Sequence, residues 1–178
     1  MIRDIFENHV GFMEGTFFSE LFGYDITVWY EKDIPLAYIE KNIEYFNNLD
    51  QEIVLNICSA LKRYYEFYQD EYPDVCEECE YIHGDVLKNY EKDPKSILEC
   101  IHLGTYEFNK CKTEDEDIPV LNLGGDCDWS GDSGVRIAAK NNQLLFVGKW
   151  CDINLWSTVS RHIFDSMFNF ANQDSSDE

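Results

Sequence analysis

IPVLNLGGDCDWSGDSGVRIAAKNNQLLFVGKW, residues 118–150, decides how the rest of the chain is read. Residues 118–123 are apolar and β-prone, 124–134 form a glycine- and acid-rich turn, 135–140 read as a second strand and 144–147 as a third. Asn141-Asn142 joins the last two strands, and Asn tolerates the positive φ that a tight hairpin requires. The pattern is an antiparallel meander that carries one elaborate polar loop.

Upstream, Ile26, Val28 and Tyr30 alternate with Thr27 and Trp29, so residues 16–22, a turn at Gly23 and residues 25–30 read as a β-hairpin. The period then changes. Asp33 is placed to cap a helix with Pro35 in its first turn, and Leu36, Ile39, Ile43 and Phe46 fall on one face of it. Asp50 starts a second helix, whose stripe is Val54, Ile57, Leu61, Tyr64 and Tyr68 and which ends before Tyr72-Pro73. This αα-hairpin is expected to lay both stripes on one face of the sheet. Residues 74–81 and 85–90 suit short helices, 101–108 a strand, and 112–117 an acidic loop. Beyond Trp150, Asp152 or Asn154 caps a final helix with Trp156, Val159, Ile163, Met167 and Phe170 on one face. The expectation is an α+β fold: an antiparallel β-sheet, made of the N-terminal hairpin and the C-terminal meander, packed against the αα-hairpin and a C-terminal helix. A single domain is expected over residues 1–170, with a disordered polar tail over 171–178.

A hydrophobic content of 44% is enough for a packed core, and 15% aromatic residues make it rich in ring contacts. The net charge of −21 repels phosphate backbones and anionic bilayers, which disfavours nucleic acid and membrane as partners and favours basic proteins or cations. No basic segment leads into an apolar run at Met1-Ile2-Arg3-Asp4, and no stretch approaches the roughly 18 apolar residues of a span, so a cytoplasmic address is expected. There the seven cysteines read as reduced thiols.

Three patterns bear on chemistry. Asp126, Asp128, Ser130 and Asp132 place oxygens at alternate positions with Gly131 sixth, like the opening of a calcium loop. The twelfth position, where that loop supplies a bidentate acid, is Ile137, so a glycine-rich turn whose Asp side chains satisfy backbone amides is the preferred reading. Cys76 and Cys79 form a Cys-x-x-Cys pair, with His83 beyond it and Cys100 or His102 available to complete a tetrahedral zinc site. No second such pair is present, and Glu77, Glu78 and Glu80 disfavour the thiolate a redox motif needs, so ordinary buried thiols are preferred. Gly131-Asp132-Ser133-Gly134 matches the nucleophile motif of chymotrypsin-like proteases, but Val135 stands where that motif has a further Gly, and none of His9, His83, His102 or His162 lies in a matching segment. No catalytic residue is assigned, and no cofactor is expected beyond the calcium and zinc readings.

The loop Cys127-Asp128-Trp129-Ser130-Gly131-Asp132-Ser133-Gly134 resembles that of a bacterial family, domain of unknown function 6985. Its members carry Cys-x-Trp, three mainly acidic residues, then His-Gly before a strand. Cys127, Trp129, Asp132 and Gly134 keep the register, while Ser133 stands where the His is usual. Leu145-Phe146-Val147-Gly148 resembles the family's closing strand, and Tyr64-Tyr65-Glu66-Phe67-Tyr68 fits its helix pair. The resemblance implies no reaction. The company such domains keep with toxin systems implies an interaction protein, in particular an immunity protein.

The sequence therefore points to a non-catalytic, acidic interaction module for a basic protein partner, with a calcium- or zinc-binding module as the alternative. The expected contact residues are Glu77, Glu78, Glu80 and Asp85, then Glu114, Asp115, Glu116 and Asp117, with exposed aromatics around Tyr68 and Tyr72. Oligomeric state leaves no trace in the sequence.

Overall fold

A computed structural model describes residues 1–172. Seven strands form one sheet in chain order: β1 (Arg3–Glu7), β2 (Met13–Phe18), β3 (Asp25–Tyr30), β4 (Ile101–Phe108), β5 (Val120–Cys127), β6 (Val135–Lys140) and β7 (Gln143–Gly148). Neighbours are antiparallel except β3 and β4, which run parallel. The helical excursion between those two is α1 (Leu36–Asn47), α2 (Gln51–Glu71), α3 (Pro73–His83), α4 (Val86–Lys92) and a 3-10 segment, Pro94–Cys100. A long crossover of this kind is what lets two parallel strands become neighbours.

The α+β architecture expected from the sequence is the one observed. On the helical face Ile26, Val28 and Tyr30 are buried, together with Ile39, Ile43 and Phe46 of α1 and Ile57, Leu61 and Tyr64 of α2. Phe17, Phe46 and Tyr106 meet edge-on or tilted, with centroids 5.7–6.1 Å apart, where β2 and β4 meet α1. The opposite face is open over β1–β3, exposing Phe18 and Trp29. Over β4–β6 the chain after β7 covers it. Trp150 lies against Arg136 at 5.1 Å, Arg136 Nε donates to the Cys151 carbonyl at 3.0 Å, and Asn122 donates to the Ile153 carbonyl at 3.0 Å. Arg136 is fully buried there and paired with Glu107 at 3.0 Å, as a desolvated charge requires.

Several local expectations change. Pro35, not Asp33, precedes the first turn of α1; Asp33 pairs with Lys110 instead, and Leu36 is exposed. Asp50 does occupy the N-cap of α2, but its side chain makes no capping hydrogen bond. β5 continues through Gly124 and Gly125 to Cys127, in place of the turn that the glycine pair suggests. A Cβ on Gly125 would lie 2.2 Å from the His102 carbonyl, so only glycine allows β5 past the bulge in β4. Asn141 and Asn142 take positive φ, 52° and 61°, as the hairpin reading requires.

The expected C-terminal helix shrinks to a 3-10 turn, Thr158–Ser160, and one helical turn, α5 (Arg161–Phe164), with Val159 and Met167 exposed. Beyond α5, Asn169 and Phe170 seal the β7 edge. Phe170 N donates to the Val147 carbonyl at 2.8 Å, while Asn169 accepts from Val147 N at 3.2 Å and donates to the Leu145 carbonyl at 2.7 Å. Of the expected tail, residues 173–178 lie outside the described residues. No helix among the described residues is long and apolar enough to cross a membrane.

Candidate functional site

The β5–β6 loop is held from inside. Trp129 is fully buried, edge-on to Tyr64 and Tyr65 of α2 with centroids 6.0 and 5.5 Å away. Tyr64 OH donates to the Gly134 carbonyl at 3.0 Å, the Ser130 hydroxyl donates to the same carbonyl at 3.3 Å, and the Cys127 thiol donates to the Ser130 hydroxyl oxygen at 3.0 Å. Gly134 turns at φ 61°, and a Cβ there would come within 2.6 Å of the Gly125 carbonyl. Cys127, Trp129, Ser130 and Gly134 thus build the loop from within. Burial pushes the Cys127 thiol up to about 12, so it is protonated and inert at neutral pH.

Asp128 points the other way, into a contact with no local signal in the sequence. Its two oxygens lie 2.7 Å from His83 Nε2 and 2.8 Å from His102 Nε2, joining α3, β4 and the loop. The residues of the calcium reading are thereby divided: Asp128 engages imidazoles, Ser130 is buried in the turn, and Asp126 and Asp132 line a shallow depression of about 370 Å³. In the zinc reading, Cys76 and Cys79 face the core while His83 turns to Asp128. Burial raises the Cys76 thiol to about 11, and a hydrogen bond with Cys79, together with burial, raises Cys100 further. Among the described residues no group of three or more His, Cys, Asp or Glu side chains is arranged to hold a metal ion. Nor does a hydrogen bond join Ser133 to a histidine among them; its carbonyl accepts from Trp150 N at 3.0 Å.

The acidic segments separate. Antiparallel β4 and β5 put the loop with Glu114, Asp115, Glu116 and Asp117 at one end of the strand pair and the β5–β6 loop at the other. Asp117 pairs there with Lys41 at 2.6 Å and Glu114 with Lys112 at 3.6 Å. α3 lies at the β5–β6 end, tied through His83. Its inner face is Cys76 and Cys79; its outer face carries exposed Glu77 and Glu78 beside Tyr81 and Ile82, which are 93% and 65% exposed. Tyr72, 53% exposed, stands at its start. Glu80 accepts from Tyr65 OH at 2.9 Å, and Asp85 caps α4 through Lys88 N at 2.9 Å. Tyr68 is buried, packed on Tyr64 and Phe67 rather than exposed beside Tyr72. No sequence signal singles out Tyr81 and Ile82, because a short acidic helix gives no warning of which apolar residues it leaves outside.

Beside α3 a cleft of about 700 Å³ opens between the second half of α2, the β5–β6 loop and the segment that seals β7. It shares Ser133, Lys149 and Trp150 with the shallow depression.

A family model described as a domain of unknown function, DUF6985, matches residues 4–155. No curated protein and no solved structure matches the chain.

Proposed function

The chain belongs to the DUF6985 family, and from that premise we propose that it is a non-catalytic interaction module that binds a basic protein through the outer face of α3. The observation that carries the proposal is Tyr81 and Ile82, bare on a helix whose other exposed residues after Pro73 are acidic. Large apolar side chains at the centre of a patch with charged neighbours at its rim are how protein interfaces are built, and a molecule of charge −21 draws cationic partners by long-range attraction. The buried thiols and the inward-facing loop supply no nucleophile–base pair that would favour a reaction. The specific form of the proposal is an immunity protein that neutralises a basic toxin.

The test is affinity capture from native-host lysate, washed at low and then high salt, with the parent chain and a Tyr81→Ser/Ile82→Ser variant. A basic protein retained by the parent, weakened by salt and lost by about 30-fold or more in the variant supports the reading. Equal retention by both chains removes α3 from it, and a captured protein that leaves growing cells unharmed removes the immunity form. A second reading, a zinc-binding module, is favoured by one contact, the two imidazoles on Asp128. Zinc there would need these side chains to rearrange, and a zinc-dependent rise in Tm that Asp128→Ala abolishes would establish it.

A further inference from the structure

We propose that the cleft beside α2 is a binding site for a small amphipathic carboxylate, an aryl or medium-chain organic acid, with its apolar body among the cleft's rings and its carboxylate on Lys149. The proposal goes beyond the interaction reading and does not depend on it, since none of the acids of α3 lines the cleft.

Three observations converge. The volume, about 700 Å³, lies within the range of small-molecule sites. The walls are rings: Phe67, Tyr68, Phe146, Phe168 and Phe170 among them, with Phe67 edge-on to Phe168 at 5.7 Å and tilted to Phe170 at 5.6 Å. Such a surface desolvates an aryl or alkyl body without stranding polar atoms.

The third observation is charge. The chain carries 35 Asp and Glu against 14 Lys and Arg, yet no acidic side chain is among the described residues lining this cleft. Its ionisable cationic groups are Lys149 and His162. Lys149 is exposed and, like Lys88, Lys92, Lys95 and Lys140, has no ion pair among the described residues, so its charge is open to a ligand in the cleft. His162 is steadied by a hydrogen bond from its Nδ1 to the Val159 carbonyl. A cationic ligand would find no counter-ion among the described residues lining the cleft, Asp126 and Asp132 belonging to the adjoining depression, and a polyphosphate would meet the repulsion of the whole molecule with a single lysine to offset it. One negative charge on an apolar body satisfies both the walls and Lys149.

The test is isothermal titration of the full chain with phenylbutyrate, indole acetate and decanoate, each against its neutral primary amide. At least one acid is expected to saturate below about 1 mM and to bind about tenfold more tightly than its amide. Lys149→Met should erase that difference, and Phe168→Ala should weaken acid and amide alike. Lys149→Gln serves the same comparison should the Met variant fold poorly. The proposal is overturned if none of the three acids binds below about 1 mM, if acid and amide bind equally, or if the acid preference survives both Lys149 variants. Failure here leaves the α3 surface untouched, because neither Tyr81 nor Ile82 lines the cleft.

Discussion

Asp128 joins two imidazoles delivered by elements far apart in sequence, and it does so in a partly buried place. Removing its carboxylate deletes both contacts and leaves the His83 ring, itself mostly buried, without that acceptor. Asp128→Ala should therefore cost about 1–3 kcal/mol, lowering Tm by several degrees, while Asp128→Asn, which keeps an acceptor oxygen, should cost less. Thermal unfolding of the two variants checks this; an alanine variant as stable as the parent would mean the contact is idle. Asp128 and His83 both stand out in the sequence, but as members of separate metal readings. Nothing local can pair them, because the turn of α3 toward the loop depends on Cys76 and Cys79 entering the core.

The elements legible in the sequence are those whose periodicity is enforced by burial. Ile26, Val28 and Tyr30 bury on alternate positions of β3, and the α2 stripe from Val54 to Tyr68 is buried throughout. The C-terminal stripe has the same helical spacing, yet Val159 and Met167 are exposed. Side chains there compete with the helix: Asn154 accepts from Trp156 N, Ser157 from Val159 N, Ser166 from Phe168 N and Asn169 from Ala171 N. Such local contacts offer the backbone an alternative to helical hydrogen bonds, and the open edge of β7 offers more. Asn169 is the centre of that arrangement, bonded to Val147 N and to the Leu145 and Phe164 carbonyls. Asn169→Ala is expected to free the edge, speeding hydrogen exchange at the Val147 amide and costing about 1–3 kcal/mol. Unchanged exchange at Val147 would show that Phe170 N alone seals the strand. The extension of β5 is hidden for the opposite reason: Gly124-Gly125 reads as a turn in isolation, and only the bulge in β4 makes it a strand.

At the scale of the whole molecule the charge of −21 acts on stability and on recognition in opposite directions. It is plain in the sequence, but its division is not: the two acidic segments expected to make contacts lie at opposite ends of β4 and β5, and the acids near Asp117 are partly engaged by Lys41 and Lys112. Exposed pairs such as Lys32–Glu7 and Lys41–Asp117 contribute little each, so self-repulsion among the unpaired acids outweighs them. Salt screens the exposed charges of both kinds. Raising NaCl from about 10 mM to about 150 mM should then lift Tm by about 2–4 °C, equivalent to roughly 1 kcal/mol of relieved repulsion for a chain of this size. The same change should slow association with the basic partner proposed for α3, since the field that steers the encounter is the one being screened. The opposed signs separate the two effects in one pair of measurements, differential scanning calorimetry and association kinetics over the same salt series. A Tm that falls with salt would mean that the surface ion pairs outweigh the repulsion, and an association rate indifferent to salt would leave Tyr81 and Ile82 to act without electrostatic help.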